Sequence, residues 1–153
     1  MKNKIRIGCG AGFSGDRLEP SVVLLEKGEL DYLVLECLAE RTIALAQKRK
    51  TADAGKGYDP LLTRRMELLL PLLKKHGVKL ITNMGAANPL AAADEIIVIA
   101  KQQNIPIKIA VVTGDDVLSM ITGEETAMET GAALKKSGEI ISANAYLGAD
   151  AIL

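Results

Sequence analysis

The chain has 153 residues, 48% of them hydrophobic and 25% charged, with 19 basic and 19 acidic side chains that leave no formal net charge. That length suits one domain with a real core, and the neutral balance removes the main argument for nucleic acid or an anionic membrane as partner. Trp is absent and Phe occurs once, so bases have no stacking platform.

No apolar run approaches the roughly 18 residues of a membrane span, and the N-terminus lacks the apolar region of a signal peptide. Two cysteines, Cys9 and Cys37, do not make a disulfide framework. These features read as a cytoplasmic protein.

The opening stretch from Lys4 reads as a short strand that breaks into a loop carrying Gly8, Gly10, Gly12 and Gly15. Gly10-Ala11-Gly12-Phe13-Ser14-Gly15 satisfies G-x-G-x-x-G, the dinucleotide pattern that places a pyrophosphate on a helix N-terminus. Pro20 opposes that reading. A helix begun near Gly12 would hold Pro20 in its interior at a cost of about 3 kcal/mol, whereas Pro20 suits the first helical position. Asp16 and Glu19 also put two carboxyl groups where an anionic cofactor would lie. NAD(P) is therefore disfavoured, and the loop reads equally as a ligand loop or as a plain turn.

The first helix is predicted from Pro20 to Lys27, stopped by Gly28. Leu30 to Cys37 reads as a second strand, and its continuous Leu33-Val34-Leu35 centre suits cover on both faces. A helix from Leu38 to about Lys48 follows, then a polar connector through Gly55-Lys56-Gly57 that fails the P-loop pattern. Asp59-Pro60 starts the next helix, which runs to His76 and should be kinked or split by Pro71. His76 sits at that helix end, where the dipole explains it without catalysis.

Val78 to Thr82 is the third predicted strand, breaking into Asn83-Met84-Gly85-Ala86-Ala87. Asn88-Pro89 caps a helix to about Gln103. Ile107 to Val112 is the fourth predicted strand, breaking at Thr113-Gly114-Asp115-Asp116. Helices are predicted from Asp116 to Ile121 and through Leu134 to Lys136, with a short strand or loop from Ile140 to Gly148.

Four strand–helix alternations imply an α/β fold: a three-layer, mostly parallel sheet with helices on both faces, or alternatively part of a β/α barrel. Residues 1–153 read as a single α/β domain. Function then sits at the carboxyl ends of the strands.

Glu36 and Asp115 are the candidates for acid–base work, since burial at a strand end raises a carboxyl pKa toward neutrality. Their ordinary readings are pairing with Arg41 for Glu36 and helix capping for Asp115. Gly10, Gly12, Phe13, Ser14, Gly15 and Asp16, with Asn83, Gly85 and Asn88, are the candidate ligand-binding residues. Cys9 and Cys37 lack the histidines a zinc site would need, so no metal site is predicted. They read as buried small side chains before they read as nucleophiles.

Several blocks together resemble the N-terminal part of the acyclic terpene utilisation (AtuA-type) family. They are Gly8 to Arg17, Glu36-Cys37-Leu38-Ala39-Glu40-Arg41-Thr42, Gly57-Tyr58-Asp59-Pro60, Thr82 to Pro89 and Ser142 to Ala149. The resemblance implies a role in bacterial breakdown of acyclic terpenes such as citronellol and geraniol, whose intermediates are CoA thioesters. It also implies that the chain is the N-terminal portion of a longer architecture, and it supplies no catalytic residues.

Three functions follow in order. The first is a domain that acts on or binds an acyl-CoA or related small carboxylate, with loop N–H groups polarising a carbonyl and Glu36 moving the proton. The second is a non-catalytic subunit that completes a ligand pocket in a homo-oligomer or with a second chain. The third is a nucleotide-cofactor-binding module.

Overall fold

A computed structural model of the chain describes residues 4–146 and 148–152. The described residues fall into two compact units divided between Val111 and Val112.

The first unit is α/β. Its elements in order are β1 (Ile7–Ala11), α1 (Glu19–Lys27), β2 (Tyr32–Leu35), α2 (Glu40–Ala52), α3 (Leu62–His76), β3 (Lys79–Thr82) and α4 (Pro89–Gln102). The three strands form one parallel sheet in the order β1-β2-β3. Leu33 lies between Gly8 and Leu80, and Leu35 lies beside Ala11 and Thr82. Side chains alternate across a strand, so these residues share one face, which packs on the core of Leu25, Leu62, Met66, Leu69 and Leu70. Each leucine fully buried there contributes roughly 1.5–3 kcal/mol. The other face carries Ile7, Cys9, Tyr32, Val34 and Ile81, and Ile7 is 66% exposed.

The glycines of β1 answer a packing need. A Cβ on Gly8 would stand 2.6 Å from Leu30 Cδ1, and one on Gly10 would meet Ser21 Oγ, Leu35 and Leu33. The register slips by one residue at Gly10, so Gly10 and Ala11 both turn inward, as at a β-bulge. The buried Ser21 hydroxyl donates to the Gly10 carbonyl at 2.9 Å. Helix α1 thus lies against backbone at these positions, and it starts at Glu19 with Pro20 in its first turn, clear of the glycine motif.

Of the two outcomes expected of Pro71, a kink or a split, the split does not occur: α3 is one helix from Leu62 to His76. A proline lacks the N–H that would bond the carbonyl four residues earlier, here that of Glu67. Gln103, just past α4, supplies the missing donor: its Nε2 reaches the Glu67 carbonyl at 2.8 Å. Substitution from another element replaces the intrahelical bond, and the helix runs on.

The fourth predicted strand, Ile107 to Val112, is not formed. An apolar run becomes a strand only where a neighbour offers a ladder, and Ile107, Val111 and Val112 remain exposed.

The second unit replaces both predicted helices with single 3-10 turns at Leu118–Met120 and Leu134–Ser137. Gly123 and Gly131 stand at φ 85° and 67°, backbone that breaks an α-helix between them. Isolated antiparallel bridges pair Asp116 with Asn144 and Thr126 with Ala133. The Glu125 carboxyl receives the Thr122 N–H and hydroxyl and the Gly123 N–H, and these donors pull its pKa down to about 2.

The proline repair is measurable. Gln103→Ala should lower unfolding free energy by about 1–2 kcal/mol, and Pro71→Ala should restore the helical donor. Urea denaturation of the double-mutant cycle should therefore show Gln103→Ala costing much less in the Pro71→Ala background.

Candidate functional site

The loops after β1, β2 and β3 meet the start of α3 at the carboxyl edge of the sheet. Their common anchor is Arg65, which is 1% exposed. Helix α3 buries Leu62, Arg65, Met66, Leu69, Leu70 and Leu73, so this arginine occupies a position that the helical period reserves for the core. Its Nη1 donates to Cys37 Sγ at 2.8 Å, and its Nη2 donates to the carbonyls of Asp16 at 2.8 Å and Ser14 at 3.2 Å. Its Nε is buried without a hydrogen-bond partner.

Asp59, also buried, faces the same loop from the other side. Its Oδ2 accepts the Ser14 hydroxyl at 2.5 Å and its Oδ1 accepts the Leu61 N–H at 2.7 Å. The Asp59 N–H donates to the Met84 carbonyl, tying the β3 loop into the same knot. Ser14 therefore stands between a buried carboxyl group and a buried guanidinium, bonded to one through its hydroxyl and to the other through its carbonyl.

A cleft of about 130 Å³ opens here, lined by Ser14, Cys37, Arg49, Asp59 and the apolar groups of Leu38, Leu45, Pro60 and Ala86, with Thr42 at its wall. Ala86 is held at φ 47°, an uncommon backbone for a residue with a Cβ. Arg49 Nη2 makes one long bond, 3.4 Å, to the Tyr58 carbonyl. Desolvation pushes the Cys37 thiol up to about 11, against the opposing pull of Arg65. At neutral pH it is a neutral thiol.

Of the residues singled out from the sequence, Ser14 lines the cleft. Asp16 supports it, its carboxyl accepting the N–H groups of Gly12 and Arg17. Those bonds, the Gly12 one first, hold its pKa below the usual value. Gly10 packs on α1, Phe13 is exposed, and Gly15 lies beside the Phe13 ring.

Glu36 is exposed, and its Oε1 accepts from the Leu38 N–H and from Asn83 Nδ2. Asn83 Oδ1 accepts the Cys37 N–H at 2.7 Å, so Asn83 ties two strand ends together. Gly85 gives room to Pro89. Asn88 caps α4 and donates to the carbonyls of Ala54 and Lys56. Asp115 belongs to the second unit, where its carboxyl accepts Asn144 Nδ2.

Arg65, Asp59 and Arg49 were missed from the sequence as site residues. The signal for Arg65 was there: a charge at i+3 from Leu62 and i−4 from Leu69 lies on the apolar stripe of its own helix.

Arg65→Met should lower stability by about 3 kcal/mol or more in urea denaturation, because one buried and two part-buried acceptors lose their donor. Arg65→Lys should restore only part, since an ammonium cannot reproduce the fork. At pH 8 a thiol of pKa about 11 is thiolate in roughly one molecule in a thousand. Iodoacetamide should therefore label the exposed Cys9 and leave Cys37 unmodified until the chain unfolds, as peptide mass mapping will show.

Comparison with curated proteins and with solved structures gives no match. The family described as acyclic terpene utilisation family protein AtuA matches residues 5–153. The chain belongs to the AtuA acyclic terpene utilisation family.

Proposed function

We propose that the chain binds a small branched carboxylate, or the acyl end of a CoA thioester, arising in acyclic terpene breakdown. The cleft between Ser14, Cys37 and Asp59 is the proposed seat. One observation carries the reading: the Arg49 guanidinium borders a wall of Leu38, Leu45, Pro60 and Ala86, with a single long bond to protein. An apolar wall ending in a loosely held cation suits a short hydrocarbon ending in a carboxylate or carbonyl.

Size limits the ligand. Drug-sized ligands fill roughly 300–1,000 Å³, so a cleft of about 130 Å³ takes an acyl terminus and leaves a CoA nucleotide outside. The Ser14–Asp59 pair is the group that moves or holds a proton in this reading. The role considered for Glu36 passes to that pair, because Glu36 lies off the cleft wall and its carboxyl is already bonded to Leu38 and Asn83.

A second reading, a subunit that lends this cleft to an assembly without chemistry of its own, is favoured by the sheet itself. Strands β1 and β3 are both edges, each with one side unpaired in the described residues. The nucleotide-cofactor reading has less behind it, because α1 begins only at Glu19 and Gly10 packs against it.

Thermal-shift titrations with CoA, a branched acyl-CoA, the free branched acid and NAD(P) test the proposal. The acid or acyl-CoA should raise the melting temperature and CoA alone should not. A ligand at 100 times its Kd stabilises by about 2.7 kcal/mol. Arg49→Gln should weaken binding by about tenfold or more, the loss of one charge-assisted bond. A folded chain that responds to none of them sinks the reading.

A further inference from the structure

We infer that the outward face of α4 is the contact of a homodimer built on a two-fold axis, with α4 packed antiparallel against its copy. This rests on α4 alone and does not depend on the ligand proposed above.

Helix α4 is apolar on two sides. Ala92, Ala93, Ile99 and Ala100 are buried in the core. On the opposite side Leu90, Ile97 and Val98 are 63%, 36% and 48% exposed. Asp94 and Lys101 share that side, so its apolar groups are Leu90 and the adjacent Ile97 and Val98. Leu90, Asp94, Ile97 and Lys101 follow the i, i+4, i+7, i+11 rhythm of a helix-packing stripe, with Val98 beside them.

The two charges in that stripe choose the partner. Asp94 and Lys101 are exposed, and neither makes an ion pair or side-chain hydrogen bond among the described residues. The neighbouring Glu95, by contrast, accepts from Thr63 Oγ1. An antiparallel pair centred between Ile97 and Val98 puts Asp94 of each copy opposite Lys101 of the other. It also sets Ile97 of each copy against Val98 of the other, with Leu90 lying beyond the partner helix's last residue, Gln102. A parallel pair would set Asp94 against Asp94. The stripe is thus complementary to itself in one orientation, as an isologous contact requires.

Its extent sets the strength. At 14 residues the helix is about 21 Å long, too short to bury by itself the roughly 800 Å² per partner of a standard interface. The dimer is therefore weak and concentration-dependent, in the micromolar range.

Sedimentation velocity on the full chain, with reductant present to keep Cys9 from cross-linking, tests this from micromolar to submillimolar concentration. A monomer–dimer equilibrium should appear. Ile97→Asp, at an exposed position, should weaken it by about tenfold or more with unchanged circular dichroism. Asp94→Lys should also weaken it, and adding Lys101→Asp should return it to within a few-fold of the parent. A chain that stays monomeric throughout overturns the inference and leaves the stripe to another partner. A dimer indifferent to Ile97→Asp, or a charge swap without rescue, overturns it as well.

Discussion

The loops of this protein depend on one guanidinium. Arg65 reaches from the core side of α3 to two carbonyls in the loop after β1 and to the thiol after β2. Burying such a charge costs several kcal/mol unless its protons are taken up, and here three acceptors take up protons of Nη1 and Nη2 while Nε stays unpartnered. The arrangement extends outward from there. Asp16, whose carbonyl Arg65 holds, fixes Gly12 with its carboxyl, and Ser14, held the same way, reaches Asp59. Asp59 in turn anchors Met84 after β3. A sheet of three strands has little area with which to hold loops rigid, and the buried arginine does so instead.

The same network gives the glycine-rich loop its form. The run Gly10 to Gly15 has the spacing of a dinucleotide loop, but its glycines answer different needs. Gly10 lets α1 approach the strand, while a Cβ on Gly12 would meet nothing within 4 Å. The backbone carbonyls of Ser14 and Asp16 are spent on Arg65. The chain belongs to the AtuA family, and the cleft beside Ser14 lies at the same edge of the sheet.

Much of the fold was legible because its signals are local. Prolines at positions 20, 60 and 89 mark three helix starts to within a residue or two, and Gly28, Gly77 and Asn104 mark the ends. The three strands each carry a short apolar run that finds a neighbour. Ile107 to Val112 carries the same signal without the neighbour, and pairing is a tertiary fact that no run of residues encodes. The helix expected around Leu134 failed for a local reason, the positive φ of Gly123 and Gly131. At the site, residues next to strand ends were easy to nominate, yet Asn83 and Asn88 proved to be ties within the backbone. Arg65 and Arg49 arrive from helices far along the chain, so proximity in sequence could not find them.

Pro71 has a consequence for how α3 and α4 are joined. In a free α3 the Glu67 carbonyl is bonded by water, and the helix needs no help. In the folded chain Gln103, 36 residues further on, donates to that carbonyl at a site that stays exposed. The donor is in place only after α4 has formed through its last turn and docked. A single proline thus leaves a carbonyl through which two helices separated in sequence by a whole strand are linked.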